Sequence, residues 1–528
     1  MPEITADEVE EFLGSPAAYD LLPDAQIARI DTHISVIFLA GSFAYKLKKR
    51  VDLSYLNFTT LEARYLACQH ELALNRRTAP SLYLDIVPIR VKGTELALGP
   101  GKGDVVDWVV KMEQFEQASL LSKMADRGVL TLHLTRKLAR KIEMFHRAAE
   151  VRKNDGGANR FAEILESNQK NFLPFLGSIY PPSLIETLSS EHGHALEGIA
   201  SLLDQRRASG WVRHCHGDLH LNNVVCLNDD PVPFDCIEFN DSFARIDMLY
   251  DLAFLLMDLA FRAKGDDVLF PHANGALNAY LQHQSPGDLA ATLQGLKALP
   301  FFMSLRAGVR SHVNAQMIES AGADRAKFAG LALAYAEFAV ALLQPTQPTL
   351  YAIGGLSGTG KTTIAKFLAP ELGHTVGAVH LRTDTIRKRL AGVDDAERLP
   401  ASAYTQRASD AVYAEMAHLA ARALDAGQSV ISDAVFAKPA EREAIEQVAH
   451  ARSLPFRGIW LISPLRELEA RVDRRARAGD DASDAGLDVV RQQLSYDFGR
   501  IDWASVDTSG VPEAAAERVR SVLDLTIE

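Results

Sequence analysis

Two rhythms of apolar and polar residues divide the chain. Up to about residue 115, short β-branched and aromatic runs recur: SVIFLAGSFAYKLKK within residues 34–49, then SLYLDIVPI and VVDWVVKMEQF within 82–115. Between them, TLEARYLACQHELALNRR carries its apolar positions at helical spacing, so a small sheet with one helix is predicted. From Leu130 to Leu343 amphipathic helix prevails, broken around 211–240 by WVRHCHGDLHLNNVV and VPFDCIEFN, which read as short strands joined by loops. The prolines of Gln344-Pro-Thr-Gln-Pro348 end a helix predicted over roughly 323–343. Beyond them the rhythm alternates: strand TLYAIGG, helix TTIAKFLAPEL, strand AVHLRTD, helices around 401–426, strand SVISDAVF, helix PAEREAIEQVAHA, strand FRGIWLIS, a further helix and a final VDTS. Such alternation predicts βαβ units and a mostly parallel sheet covered by helices. The expected organisation is α+β followed by α/β. Residues 1–345 form one domain, with a small lobe at about 30–115 and a helical lobe at about 116–345, and residues 346–528 form the other.

A chain of 528 residues exceeds what one hydrophobic core sustains, in keeping with two domains. Hydrophobic residues at 47% and charged residues at 23% are the proportions of an ordered globular protein. A formal net charge of -12 argues against a protein that coats nucleic acid, so no nucleic-acid partner is expected. The cysteines Cys68, Cys215, Cys226 and Cys236 are too few and scattered for a disulfide framework. The acidic start MPEITADEVEEFLGS lacks the features of a signal peptide, and the apolar stretch Leu249–Phe261 is interrupted by Asp251 and Asp258. A cytoplasmic protein with no membrane partner is the expectation.

Gly355-Leu-Ser-Gly-Thr-Gly360-Lys361-Thr362 satisfies G-x-x-x-x-G-K-[ST] and stands between a predicted strand and a predicted helix, the context that gives the motif meaning. Backbone amides of Gly355, Ser357, Gly358, Thr359 and Gly360 would ring the phosphates of ATP, aided by the helix N-terminus at Thr362 and Thr363. Lys361 would reach the β/γ-phosphates and Thr362 would ligate Mg²⁺. Asp384 and Asp433 fall at predicted strand ends, where open α/β sheets gather ligand groups. Asp384 is the expected base for an acceptor hydroxyl, with Arg387 one turn later to hold an anionic part of the substrate, and Asp433 is expected at the Mg²⁺ water shell. Each carboxylate has a plain alternative as a helix cap. The run from Arg466 through Arg471, Arg474, Arg475 and Arg477 leads into a loop expected to be mobile at 479–484, so arginines such as Arg471 and Arg475 could close over the nucleotide; a solvated helix face is the alternative.

These motifs resemble the small P-loop kinases that include gluconate kinase, chloramphenicol phosphotransferase, polynucleotide kinase and zeta toxin, over residues 349–528. The resemblance implies a substrate carboxylate after the second strand, matched by Asp384, and a lid arginine region, matched by residues 471–477. Substrates in that group differ widely, so the acceptor is not implied.

Earlier in the chain, His216-Gly-Asp218-Leu-His-Leu-Asn-Asn223 fits the kinase catalytic loop H-x-D-L-x-x-x-N, with Gly217 where protein kinases carry arginine. Asp218 would take the acceptor's proton, while Asn223 and Asp235, in Val232-Pro-Phe-Asp235, would hold the metal. His214, Cys215, His216 and His220 also have the composition of a zinc site, but their spacing is poor for one.

Residues from about 30 to 340 resemble the aminoglycoside phosphotransferase and choline kinase-like family, which implies a protein-kinase-like bilobal fold. The resemblance implies a strand lysine on the α/β-phosphates oriented by a helix glutamate: Lys46 with Glu71, or alternatively Lys48 and Glu62. It implies an adenine-receiving hinge at Met112 to Phe115, and an acidic segment at Asp247 and Asp251. Ile237 departs from the family's usual glycine, and Glu238 adds a carboxylate that would bind metal or crowd it. In Lys46-Leu-Lys-Lys-Arg50, the charges other than Lys46 are expected to protect an edge strand.

The expectation is a phosphotransferase with two kinase-type sites that uses ATP and Mg²⁺ on small-molecule hydroxyl acceptors. The alternatives are a regulatory protein whose first domain senses nucleotide or ligand and gates the second, and a nucleic-acid end kinase, which the acidic balance disfavours.

Overall fold

The computed structural model describes residues 4–524 except 33, 54–55, 94, 320–321, 395–396 and 479–485. They form two compact units, the first from Met1–Leu134, Met144–Gly156 and Arg207–Asp251, the second from Thr135–Glu143, Gly157–Arg206 and Leu252–Glu528. Position 346 therefore lies inside the second unit.

The first unit is built on a six-stranded antiparallel sheet in the order Ala28–Asp31, Ser35–Ala40, Phe43–Lys48, Asp104–Glu113, Tyr83–Lys92, Glu95–Leu98. The outermost strands were not anticipated: Ala28–Asp31 is short and largely exposed, so it lacks an apolar run to mark it. Phe43–Lys48 is an interior strand, and this overturns the edge-strand reading of its charges. The helix Leu61–Asn75, capped by the Thr60 hydroxyl accepting from the Ala63 amide, buries Arg64, Ala67, Cys68, Glu71, Leu74 and Asn75 at intervals of three and four. Cys68 packs with Leu82, Tyr83, Val110, Val225 and Val232. The hairpin Val224–Leu227 with Asp230–Pro233 pairs Val224 with Pro233, which sets Asn223 beside Phe234 and Asp235.

In the second unit, five parallel strands run in the order Val379–Arg382, Val430–Asp433, Leu350–Gly355, Phe456–Ile462, Ala504–Asp507. The strand that enters the glycine-rich loop is central, with Asp433 ending its neighbour at the position opposite Ile353. Ile364, Leu368, Ala516 and Val519 from the helices cover Ile353, Ile431, Ile459 and Val506. The same unit holds the helices His272–Gln282, Pro286–Gly295, Leu299–Met317 and Arg325–Ala341. Asn274 is buried, and its Nδ2 donates to the carbonyls of Val376 at 2.9 Å and Ala378 at 3.0 Å. Asn278 accepts from the His380 amide at 2.8 Å. Among the described residues, no helix is long and apolar enough to cross a membrane.

Candidate functional site

The second unit carries a cleft of about 1050 Å³, lined by residues 357–364 of the glycine-rich loop and its helix among others. The loop backbone needs its glycines. Gly355 has φ +135° and Gly358 φ +89°, and a Cβ would stand 2.5 Å from the Leu461 carbonyl oxygen at the first and 2.8 Å from that of Leu468 at the second. The helix Lys361–Leu368 starts directly after Gly360, so its first amides and its positive end point into the loop. Lys361 Nζ donates to the carbonyls of Gly355 at 2.9 Å and Leu356 at 3.0 Å. Thr362 Oγ1 donates to Asp433 Oδ2 at 2.6 Å. Burial opposes ionisation of Asp433, but the hydrogen bond from His380 and the charges of Lys361 and Arg382 outweigh it and hold the carboxyl at about 2. The result is an anionic oxygen beside a threonine hydroxyl at the mouth of a phosphate-sized loop, a donor set that fits Mg²⁺.

Asp384, Arg387, Tyr404, Ser409 and Lys438 line the same cleft. Asp384 lies in the first turn of the helix Thr383–Ala391 rather than on the strand, which ends at Arg382. Arg387 donates to the Ala403 carbonyl at 2.7 Å and lies 5.0 Å over the Tyr404 ring, so its guanidinium is fixed at the cleft wall. Arg471 donates to the carbonyls of Thr508 at 2.7 Å and Gly358 at 3.5 Å and pairs with Glu467 at 2.9 Å, tying the loop to the end of the last strand. The side chain of Arg475 and the loop at 479–484 lie outside the described residues. Sequence reasoning missed Gln493, whose Oε1 accepts the Ser357 amide at 2.8 Å, and His380, which abuts Asp433 at 3.3 Å. Neither belongs to a motif, and both meet the loop only through the fold.

In the first unit, Lys46 Nζ lies 2.7 Å from Glu71 Oε1 and 2.7 Å from Asp235 Oδ1. Lys48, two residues on and on the same face, is fully buried. It sits 2.6 Å from Glu71 Oε2 and in contact with the Glu238 carboxylate. Glu238 is thus a partner of Lys48, and Glu62 is exposed at the start of its helix. Burial pushes the Glu238 carboxyl up; on Glu71 the two lysines outweigh burial and hold it low. Met112 belongs to the strand beside Tyr83 and packs in the core around it.

Asn223 Nδ2 donates to Asp218 Oδ2 at 2.8 Å, and Asp218 is half-exposed. Asp235 takes a left-handed backbone, φ 61°. Its amide donates to the Tyr83 hydroxyl at 3.2 Å, and the Cys236 amide to Asn75 Oδ1 at 2.8 Å. The unusual backbone of this turn is therefore at Asp235, and Ile237 instead packs on Gly217, where an added Cβ would meet its Cδ1 at 3.1 Å. Asp251 accepts the amides of His216 at 3.0 Å and Gly217 at 2.9 Å and lies 3.0 Å from His146 Nε2, so it braces the loop that leads to Asp218. Asp247 accepts the Leu249 amide at 2.9 Å. His216 Nε2 is bonded to the Phe234 carbonyl at 2.9 Å, so the histidines of this stretch do not converge as a zinc site. The described grouping with metal-ligand spacing is His146, Cys215 and Asp251, whose carboxylate is already spent on the two amides.

The fold and site of the second unit define a P-loop domain with a five-stranded parallel sheet, and residues 350–497 match the AAA domain family. Over 514 residues, 95% of this chain and 97% of the relative, the sequence is 28% identical to an uncharacterized protein of Mycobacterium tuberculosis; an uncharacterized protein of Mycobacterium bovis matches equally. Among solved structures, the Mycobacterium tuberculosis APS kinase CysC in complex with AMPPNP and APS is similar at 19% identity and a TM-score of 0.25, covering 34% of this chain and 99% of that one. A choline/ethanolamine kinase family protein from Mesorhizobium loti is similar at 11% identity and a TM-score of 0.36, covering 62% of this chain and 97% of that one.

Proposed function

We propose that the chain is an ATP-dependent phosphotransferase acting on a hydroxyl of a small molecule, with its P-loop site as the principal centre. The observation that carries this reading is the contact of Thr362 Oγ1 with Asp433 Oδ2 at 2.6 Å beneath a loop whose Gly355 and Gly358 leave no room for a Cβ. Thr362 and Asp433 would hold Mg²⁺, which neutralises phosphate charge and fixes its geometry. Lys361 and the loop amides bind the β- and γ-phosphates, Arg387 orients an anionic part of the acceptor, and Asp384 takes the proton from the attacking hydroxyl. Arg471 holds the loop against the end of the last strand. A cleft of about 1050 Å³ has room for a nucleotide and a second small substrate.

The first unit is proposed as a second kinase-type site, with Asp218 as base, Asn223 and Asp235 toward the metal, Lys46 oriented by Glu71, and Met112 beside the adenine. The Lys46–Glu71 and Asn223–Asp218 contacts support turnover over pure sensing. The net charge of -12 supports a small molecule over a nucleic-acid end, and four free cysteines support a reducing, cytoplasmic setting. The test is Mg²⁺-dependent ATP turnover by the full chain. Lys361→Ala should lower it by about 10²- to 10³-fold, the usual effect of deleting one preorganised charge donor. Undiminished turnover in Lys361→Ala and loss in Asp218→Ala would move the principal activity to the first unit.

A further inference from the structure

The second unit contains another cavity, of about 370 Å³, bordered by the strand Val379–Arg382 and the helix His272–Gln282. Its lining brings together Arg136 and Arg140, one turn apart on the helix Leu132–Ala148, with Lys366, Arg382 and Arg389. Among the described residues the lining carboxylate is Asp394, 3.3 Å from Arg140 Nη2. Such a surplus of cations stands out in a chain whose net charge is -12.

The walls are built rather than incidental. Asn274 and Asn278 pin the strand through Val376, Ala378 and His380, and Arg389 donates to the carbonyls of Gln282 and Gln284, both at 2.9 Å, at the end of the helix His272–Gln282. The positive field is felt by the neighbouring imidazole of His272, which burial and Arg136 together hold down at about 4. Burial also pushes the Arg136 guanidinium below its ordinary value.

We propose that this cavity binds a small phosphomonoester dianion at a site separate from the P-loop. Guanidinium forks match phosphate oxygens in pairs, and Arg136, Arg140, Arg382 and Arg389 bring four guanidiniums to one lining. The volume, at the small end of ligand pockets, selects a compact molecule over a polymer. Arg382 lines both cavities, so an occupant here adjoins the residue that lies 3.8 Å from Asp433.

The test is calorimetric titration of the full chain with inorganic phosphate, in a Lys361→Ala background that weakens phosphate binding at the P-loop. Acetate at matched ionic strength is the control. Saturable phosphate binding is expected, weakened at least about 10-fold by Arg136→Ala/Arg140→Ala, since charge-assisted bonds are lost. Arg136 is partly buried, so Arg140→Glu alone, at a position 49% exposed, is the second variant. It should keep the thermal midpoint and weaken binding to the same extent. No saturable phosphate binding, equal binding of acetate, or phosphate binding unchanged by Arg140→Glu would overturn the proposal.

Discussion

Replacing Lys48 by methionine separates two views of the basic run at residues 46–50. Were Lys48 a solvated edge charge, its loss would cost ~0–1 kcal/mol. Instead its ammonium is wholly buried between Glu71 Oε2, at 2.6 Å, and the Glu238 carboxylate. Removing it leaves Glu238 buried without its counter-charge and leaves Glu71 with Lys46 alone, the kind of break that costs about 3–5 kcal/mol. Amide hydrogen exchange of the full chain reads this locally. At ~1.4 kcal/mol per decade, protection in Phe43–Lys48 and Leu61–Asn75 should fall by roughly two to four orders of magnitude. Lys48→Met/Glu238→Gln should recover much of the loss, because the stranded charge is gone. The pH dependence has a definite sign. Burial already pushes the Glu238 carboxyl above its ordinary value; without Lys48 the folded state favours the protonated acid still more, so the deficit shrinks as pH falls from neutrality. A change in protection under about tenfold, or a deficit that grows on acidification, would refute the buried network.

Three further outcomes follow from the same structure. Thr362→Val should weaken Mg²⁺-dependent ATP binding at the P-loop about 10- to 100-fold while leaving metal-free binding nearly unchanged, measured by titration with and without the metal. Asn274→Leu strands the buried carbonyl of Val376, at about 1–3 kcal/mol, while Ala378 keeps its bond from Asn278, so the urea midpoint of the second unit should drop; an unchanged midpoint would contradict the role given to Asn274. His192, His272 and His312 are held at about 4, against 6.5 in the open chain, chiefly by burial. The unfolded state therefore takes up protons first, and stability of the second unit should be full above pH 6.5 and decline from there toward pH 4, as followed by thermal melts.

Local signals carried much of this molecule. The P-loop was readable because a glycine-rich strand-to-helix turn leaves a dense pattern, and the parallel sheet because βαβ alternation is a chain-level rhythm. Glu71 was readable as the partner of Lys46 through family likeness, and its burial with Cys68 and Asn75 fits helical spacing. What stayed hidden depends on contacts between distant segments. Lys48 looks like any surface lysine until its strand is known to be interior, and Glu238 meets it across 190 positions. Gln493 reaches Ser357 across 136 positions with no motif around it. Asp384 was expected at a strand end, yet the strand closes at Arg382, so the carboxylate sits in a helical turn. Two prolines mark a break in secondary structure at 344–348, and Asn274 and Asn278 before it hydrogen-bond to residues 376–380 after it, contacts with no sequence signal.

The central claim is that the P-loop cleft transfers the γ-phosphate to a hydroxyl with Asp384 as base. Its most direct test offers γ-labelled ATP, Mg²⁺ and a library of hydroxyl-bearing metabolites to the full chain and to Asp384→Asn. The account predicts a labelled acceptor with the wild-type protein and none with Asp384→Asn, while titration shows ATP binding preserved, since a base acts in the transition state and adds little to ground-state affinity. Labelled product undiminished in Asp384→Asn, or ATP binding lost together with transfer, would contradict it.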